Sequence, residues 1–470
     1  MGLFLSMDQK KIIAYTIGVI MLMELIDGSA LNTALPQIAI SLQVNAITLK
    51  VAITVYLLTL GLFIPASAWF ADKFGNKNLL FISISGFVIS SMACGLSTNI
   101  TSLIIFRAFQ GVFGAFTMPV ARLTMVRIFK GNMLAAMSVV AVIATIGPMI
   151  GPLVGGIITT YIGWRMIFFI NLPIGIVAII LVYFYLPRTK LEKVQAKFDL
   201  KGFLIIGSSI AFLMLFVDLM IDQEISLLWK TLSLTLSIIL GFFYLGHAKK
   251  LQDNAVINLN VFKNECFRYF IVISTLSRLV IMGMMFIFPL YLQTKQGFSA
   301  FYSGLSLMAF IIPVWLVKKL VKSILAKLHF YKFFIINVGL MALIYIAIGY
   351  VFLYFNFIEF LVLLTLLGCC FGTFTIIINA AIYNSLDNND HMGVATIINS
   401  TIIQLTSAFA ISWVGIVLAT LSGVTNLSFH SVISFSAYAW TQIIYAIGLF
   451  IIMFYIFIFK PKNLENVPIT

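Results

Sequence analysis

The chain is a nearly unbroken succession of apolar runs, each about 20 residues long, which is the length an α-helix needs to cross the hydrocarbon of a bilayer. Fourteen such runs can be marked out, the first from 12 to 33, the fifth from 134 to 160, and the last from 436 to 459. Inside lipid a backbone must satisfy its own hydrogen bonds, and a helix does so within one segment. Of 470 residues, 62% are hydrophobic and 9% charged, more apolar surface than a water-soluble fold can hide. The chain reads as an all-α membrane protein. Its first run is too long for the apolar core of a cleaved signal peptide and lacks a small-residue cleavage site, so it is expected to remain as helix 1.

A formal charge of +14 raises the question of nucleic acid, and the positions of the basic residues answer it. Counted from a cytoplasmic N-terminus, 22 of the 29 Lys and Arg fall in segments on the N-terminal side of the membrane, among them Lys10, Lys73, Lys77 and the clusters 188–201, 249–268 and 318–332. Lys50, Arg165, Lys230 and Lys295 fall on the other side. This is the positive-inside asymmetry, and it places both termini in the cytoplasm. Six runs precede the polar stretch 187–201, two follow it, and six more follow the second polar stretch, 249–268. The expected organisation is six plus two plus six: an N-terminal six-helix bundle over 1–190, two extra linker helices over 191–265, and a C-terminal six-helix bundle with a short tail over 266–470.

Cys94, Cys266, Cys369 and Cys370 lie in or at the ends of apolar runs, and His247, His329, His391 and His430 are scattered. Neither disulfides nor a metal site are expected. The loops offer no His/Asp/Glu cluster and no Gly-rich phosphate cradle, which speaks against a membrane enzyme acting on lipid-linked substrates.

Ionisable residues within apolar runs are costly and are therefore functional candidates. Glu24 and Asp27 stand three residues apart on one face of helix 1. Helix 1 runs outward and helix 4 inward, which brings Asp27 and Arg107 to a common depth ~9 Å below the outer surface. Arg107 beside Asp27 favours its charged form, while Glu24, with no dedicated cation, is poised to take a proton. That division suits proton coupling. The plainer alternative is that Asp27 and Arg107 only neutralise one another and pin two helices together. Arg278, near the middle of helix 9, is too deep to snorkel easily, whereas Arg122 sits toward the inner end of helix 4.

Helix 5 carries Gly147-Pro148-Met-Ile-Gly151-Pro152-Leu-Val-Gly155-Gly156. Glycines at four-residue spacing make a smooth face on which another backbone can come close, and the prolines permit a bend. Between helices 2 and 3, Ala68-Trp-Phe-Ala-Asp72-Lys73-Phe-Gly75-Asn-Lys77 forms a tight turn in which Gly75 suits a positive φ. The halves also show weak internal similarity, Arg107 to Gly114 in helix 4 aligning with Thr365 to Gly372 in helix 12.

Together these residues resemble the major facilitator superfamily, and within it the fourteen-helix drug:proton antiporters of the EmrB/QacA type. The segment Asp27-Gly-Ser-Ala-Leu-Asn32-Thr-Ala-Leu-Pro36 is similar to that family's helix 1 motif, and Ala68 to Lys77 to its loop 2–3 motif. Arg107-Ala-Phe-Gln110-Gly111 resembles the helix 4 motif with its proton-linked Arg, Gly147 to Gly156 the antiporter motif, and Trp164 to Pro173 the opening of helix 6. Phe198 to Gly202, Pro119 to Thr124 and Arg278 are closer still to the MdtD-like branch of multidrug resistance proteins. Ala68 and Asn76 depart from the loop motif, and loop 318–329 lacks its repeat.

The resemblance implies a major facilitator fold of two six-helix bundles around a central cavity, with the two extra helices outside them. It implies proton coupling at Asp27, Glu24 and Arg107, a cavity drawing on Glu24, Asn32, Gln110 and Arg278, and gating through Asp72, Lys73 and Gly75 with Gly147, Pro148, Gly151, Pro152, Gly155 and Gly156. The expected function is proton-driven export of amphipathic organic molecules or drugs across a bacterial inner membrane. The proton gradient supplies energy, no cofactor is expected, and the reading leaves room for a periplasmic adaptor. Helix motifs report coupling better than cargo, so a carrier for one metabolite or a metal chelate stays open.

Overall fold

The computed structural model describes residues 7–128, 147, 150–187, 198–220, 225–317, 330–385, 389–423, 433–459 and 461. Every regular element among them is a helix. Among the described residues twelve helices are long and apolar enough to cross a membrane, and two shorter apolar ones, Ile150–Tyr161 and Ala300–Leu316, stand at the fifth and tenth places. The order is that of fourteen spans. By internal packing the chain forms two units, Met1–Phe198 with Phe298–Gly304, and Asp199–Gly297 with Leu305–Thr470.

The first unit holds α1 (Met7–Leu42), α2 (Ala46–Phe63, continued through a 3-10 turn into Ser67–Phe74), α3 (Asn76–Gly95), α4 (Ile100–Ile128), α5 (Ile150–Tyr161) and α6 (Met166–Phe169, then Asn171–Tyr185). α4 packs on α2 and α3, and α1 packs on α6, α4 and α2. α1 continues well past the expected end at 33, because residues 34–42 are still apolar enough to be helical; Pro36 removes one donor without ending the helix.

The second unit holds α7 (Leu200–Leu219), α8 (Leu227–Leu251), α9 (Glu265–Ile281, then Met284–Thr294), α10 (Ala300–Leu316, whose residues to Gly304 group with the first unit), α11 (Phe330–Tyr354), α12 (Phe357–Asn384), α13 (Asn389–Leu421) and α14 (Phe435–Ile458). The extra helices α7 and α8 lie against each other, and α7 also packs on α13. Ser209 and Ser237 each donate a hydroxyl hydrogen to the other's carbonyl at 2.8 Å, pinning the pair where lipid offers no hydrophobic drive for association. Their outer faces expose large apolar groups such as Trp229 and Phe242, which costs nothing against hydrocarbon. Asp218 of α7 accepts from Ser412 of α13 at 2.9 Å.

Candidate functional site

The ionisable residues of α1 meet α3, α4 and α6 in a buried polar ring. Arg107 Nη1 donates to Asp27 Oδ2 at 2.8 Å and to Gln110 Oε1 at 2.7 Å. Gln110 Nε2 closes the circle on Asp27 Oδ1 at 3.0 Å. Asn171, at the start of the main α6 helix, adds a third donor to Asp27 at 2.6 Å and bonds Ser91 Oγ of α3 at 2.9 Å. Ser91 in turn donates to the Phe168 carbonyl at 2.8 Å. The Arg107 guanidinium lies 4.0 Å from the centre of the Tyr56 ring and reaches the Ala52 carbonyl from Nε at 3.4 Å. Asp27, Arg107, Gln110 and Asn171 are all buried.

An ionised carboxylate is purely an acceptor, and Asp27 is met by three donors. Glu24, one turn away, is held differently. Its Oε2 lies 2.5 Å from Thr117 Oγ1, and Thr117 Oγ1 lies 2.5 Å from the Gly114 carbonyl. Thr117 has one hydroxyl hydrogen for these two acceptors. With Glu24 ionised, Thr117 can turn its hydrogen to the carboxylate; with Glu24 protonated, the acid donates to Thr117 and Thr117 donates to Gly114. Either state is satisfied without moving a helix.

The expected meeting of Asp27 and Arg107 is thus found, together with partners that hydropathy and charge did not mark: Ser91, Thr117 and Tyr56, with Asn171 of the helix 6 motif. Glu24 takes its hydrogen bond from Thr117 of α4, and the half-buried Arg122 lies further along the same helix. Gln110, considered as a cavity residue, uses both ends of its amide inside the ring. Asn32 is half-buried and joins none of these bonds. Arg278 lies in the second unit, buried on α9.

The glycine face of α5 rests on α1. A Cβ on Gly147 would stand 2.6 Å from Leu25 Cβ, on Gly151 2.9 Å from Ser29 Cβ, and on Gly155 2.8 Å from the Ala30 Cα. Gly156 meets the Ala300 backbone in the same way, and Gly304 meets the Pro152 carbonyl. Pro148 lies outside the described residues. In the loop motif, Gly75 has φ +80° and ends the short helix carrying Asp72 and Lys73. The Lys73 ammonium sits 4.7 Å from the Trp69 ring. Asn76, which departs from the motif, donates to Thr124 of α4 at 3.0 Å. Among the described residues no group of three His, Cys, Asp or Glu could hold a metal.

Solved transporters share the fold. Over 97% of this chain it superposes on an auto-inhibited POT family peptide transporter (99% of that chain, TM-score 0.69, 12% identity). A D-xylose-proton symporter matches 93% of this chain (97% of that chain, TM-score 0.66, 14% identity), and the nucleoside transporter NupG matches 95% (98% of that chain, TM-score 0.64, 12% identity). In sequence, "Putative multidrug resistance protein MdtD" of Enterobacter sp. (strain 638) is 32% identical over 331 residues, 70% of each chain. The protein of the same name from Salmonella typhi is 32% identical over 332 residues, again 70% of each. With the family's sequence pattern matched across residues 17–411 and the fold shared nearly end to end, the chain belongs to the Major Facilitator Superfamily.

Proposed function

We propose that this multi-pass membrane protein is a proton-coupled antiporter that exports amphipathic organic molecules, drugs included, across a bacterial inner membrane, with both termini in the cytoplasm. The observation that carries the coupling is Glu24, buried beside the Asp27–Arg107 ring with a hydroxyl partner that serves either protonation state. The names of the MdtD relatives support drug-type cargo. In the proposed cycle, a proton taken up from outside at the α1 acids displaces the cargo, and loss of that proton inside restores its site.

The test is a substrate screen in everted vesicles with an imposed proton gradient, using the purified chain as the sole protein so that any need for an adaptor also shows. Gradient-driven accumulation of several unrelated amphiphiles is expected. Accumulation of a single metabolite or metal chelate would instead assign a dedicated carrier, and transport indifferent to the gradient would sink the coupling.

A further inference from the structure

Among the described residues of the second unit, a buried cation has no acid paired with it. Arg278 on α9 is 6% exposed, and among the described residues its one hydrogen bond runs from Nε to Ser274 Oγ, a turn earlier, at 3.2 Å. Among the acids described in this unit, Asp199 pairs with His247, Asp218 accepts from Ser412, Glu359 accepts from Tyr354 and Asn356, and Glu265 is exposed at the start of α9. The contrast with Arg107, whose charge is met by Asp27, is direct. A positive charge kept in a membrane interior with no counter-ion is costly, and such a cation usually has something to meet.

The helices that pack on α9 carry neutral hydrogen-bonding groups. Tyr383 on α12 is its electrostatic neighbour, and the Tyr383 oxygen accepts from Asn399 Nδ2 of α13 at 3.2 Å. That leaves the phenol's own hydrogen free to be donated. Asn399 also reaches Asn379 Oδ1 at 3.3 Å, but its own Oδ1 has no partner although the residue is 1% exposed. Ser277, beside Arg278, is fully buried with an unpartnered hydroxyl. Buried polar atoms are ordinarily satisfied. Here a cation, a free phenolic hydrogen and an open amide oxygen are gathered from α9, α12 and α13, which pack on one another.

We propose that Arg278, with Tyr383 and Asn399, forms a subsite for the carboxylate of an organic acid, so that the cargo includes amphipathic anions. The guanidinium supplies charge and a planar fork, Tyr383 donates a further hydrogen, and Asn399 Oδ1 can accept from a hydroxyl or amide of the same ligand. This deepens the transport reading and rests on it for the ligand being cargo. Binding itself needs no gradient, so it can be tested separately.

The experiment is calorimetric titration of the purified chain in neutral-lipid nanodiscs with 4-phenylbutyrate and its uncharged amide, without a proton gradient. The wild type should prefer the acid by about 10-fold or more, the size expected of charge-assisted hydrogen bonds. Arg278→Gln should abolish that preference while leaving amide binding unchanged, and Arg278→Lys should keep part of it. If Arg278→Gln does not fold, Tyr383→Phe, which keeps the ring, decides by lowering the acid's affinity alone. Equal binding of acid and amide, no binding of the acid, or a preference that survives the substitution that folds would overturn the proposal. So would competition by added phosphatidylglycerol, which would assign the cation to a lipid headgroup. Failure of export in vesicles with the acid preference intact would instead count against the transport reading alone.

Discussion

Replacing Arg107 by Ala removes the donors to Asp27 at 2.8 Å and Gln110 at 2.7 Å, the contact with the Ala52 carbonyl, and the guanidinium over the Tyr56 ring. It leaves Asp27 as an uncompensated acid at 1% exposure. Breaking one side of a buried pair costs about 3–5 kcal/mol, most of it the penalty of the stranded partner rather than the worth of the bond. The second substitution Asp27→Asn removes that stranded charge, and the amide can still bond Gln110 and Asn171. The double variant should therefore recover much of the lost stability, a coupling of about 2 kcal/mol or more between two residues in direct contact. Equilibrium unfolding in mixed micelles, run on the wild type, both single variants and the double, measures this coupling. Gradient-driven transport should be absent in Arg107→Ala and in the double variant alike, because refolding the ring as neutral does not restore its chemistry. Arg107→Lys should be intermediate in stability, since one ammonium cannot serve Asp27, Gln110 and the Tyr56 face together. Additive losses, with coupling below about 0.5 kcal/mol, or transport by the neutral double variant, would refute the account of the ring.

For Glu24→Gln, which keeps shape and reach but fixes the neutral state, proton-driven turnover should fall about 100-fold, and substrate-induced proton release in detergent, followed with a pH dye, should vanish; unchanged release would reduce Glu24 to a helix contact. Thr117→Val keeps the volume and deletes the hydroxyl that serves both states of Glu24, so turnover should drop while the melting temperature barely moves; the reverse pattern would make Thr117 structural. Gly155→Leu drives a side chain into the Ala30 backbone and should cost about 1–3 kcal/mol or more, whereas Gly207→Leu on α7, where nothing lies within 4 Å, should be nearly silent in the same melt. A periplasmic phosphatase fused after Thr470 should be inactive and a fluorescent protein there should glow; an active phosphatase would overturn the proposed topology.

Much of this protein was determined along the chain itself. Hydropathy marks the spans because lipid penalises exposed polar groups residue by residue, and charge is costly enough in an apolar run to flag Glu24, Asp27, Arg107 and Arg278 singly. Helical rise alone brought Asp27 and Arg107 to one depth, and the spacing of Gly151 and Gly155 foretold the close approach that α5 makes to α1. Neutral polar residues carry no comparable mark. Ser91, Thr117, Asn171 and Tyr383 are cheap to place in a helix, and their roles depend on which neighbour they face after packing. Gln110 likewise shows its partners only when its two amide ends are seen engaged with Arg107 and Asp27. The meeting of Thr117 with Glu24, and the want of an acid beside Arg278 among the described residues, are properties of distance between helices far apart in sequence. Only the packed helices, with their rotations and depths set together, decided them.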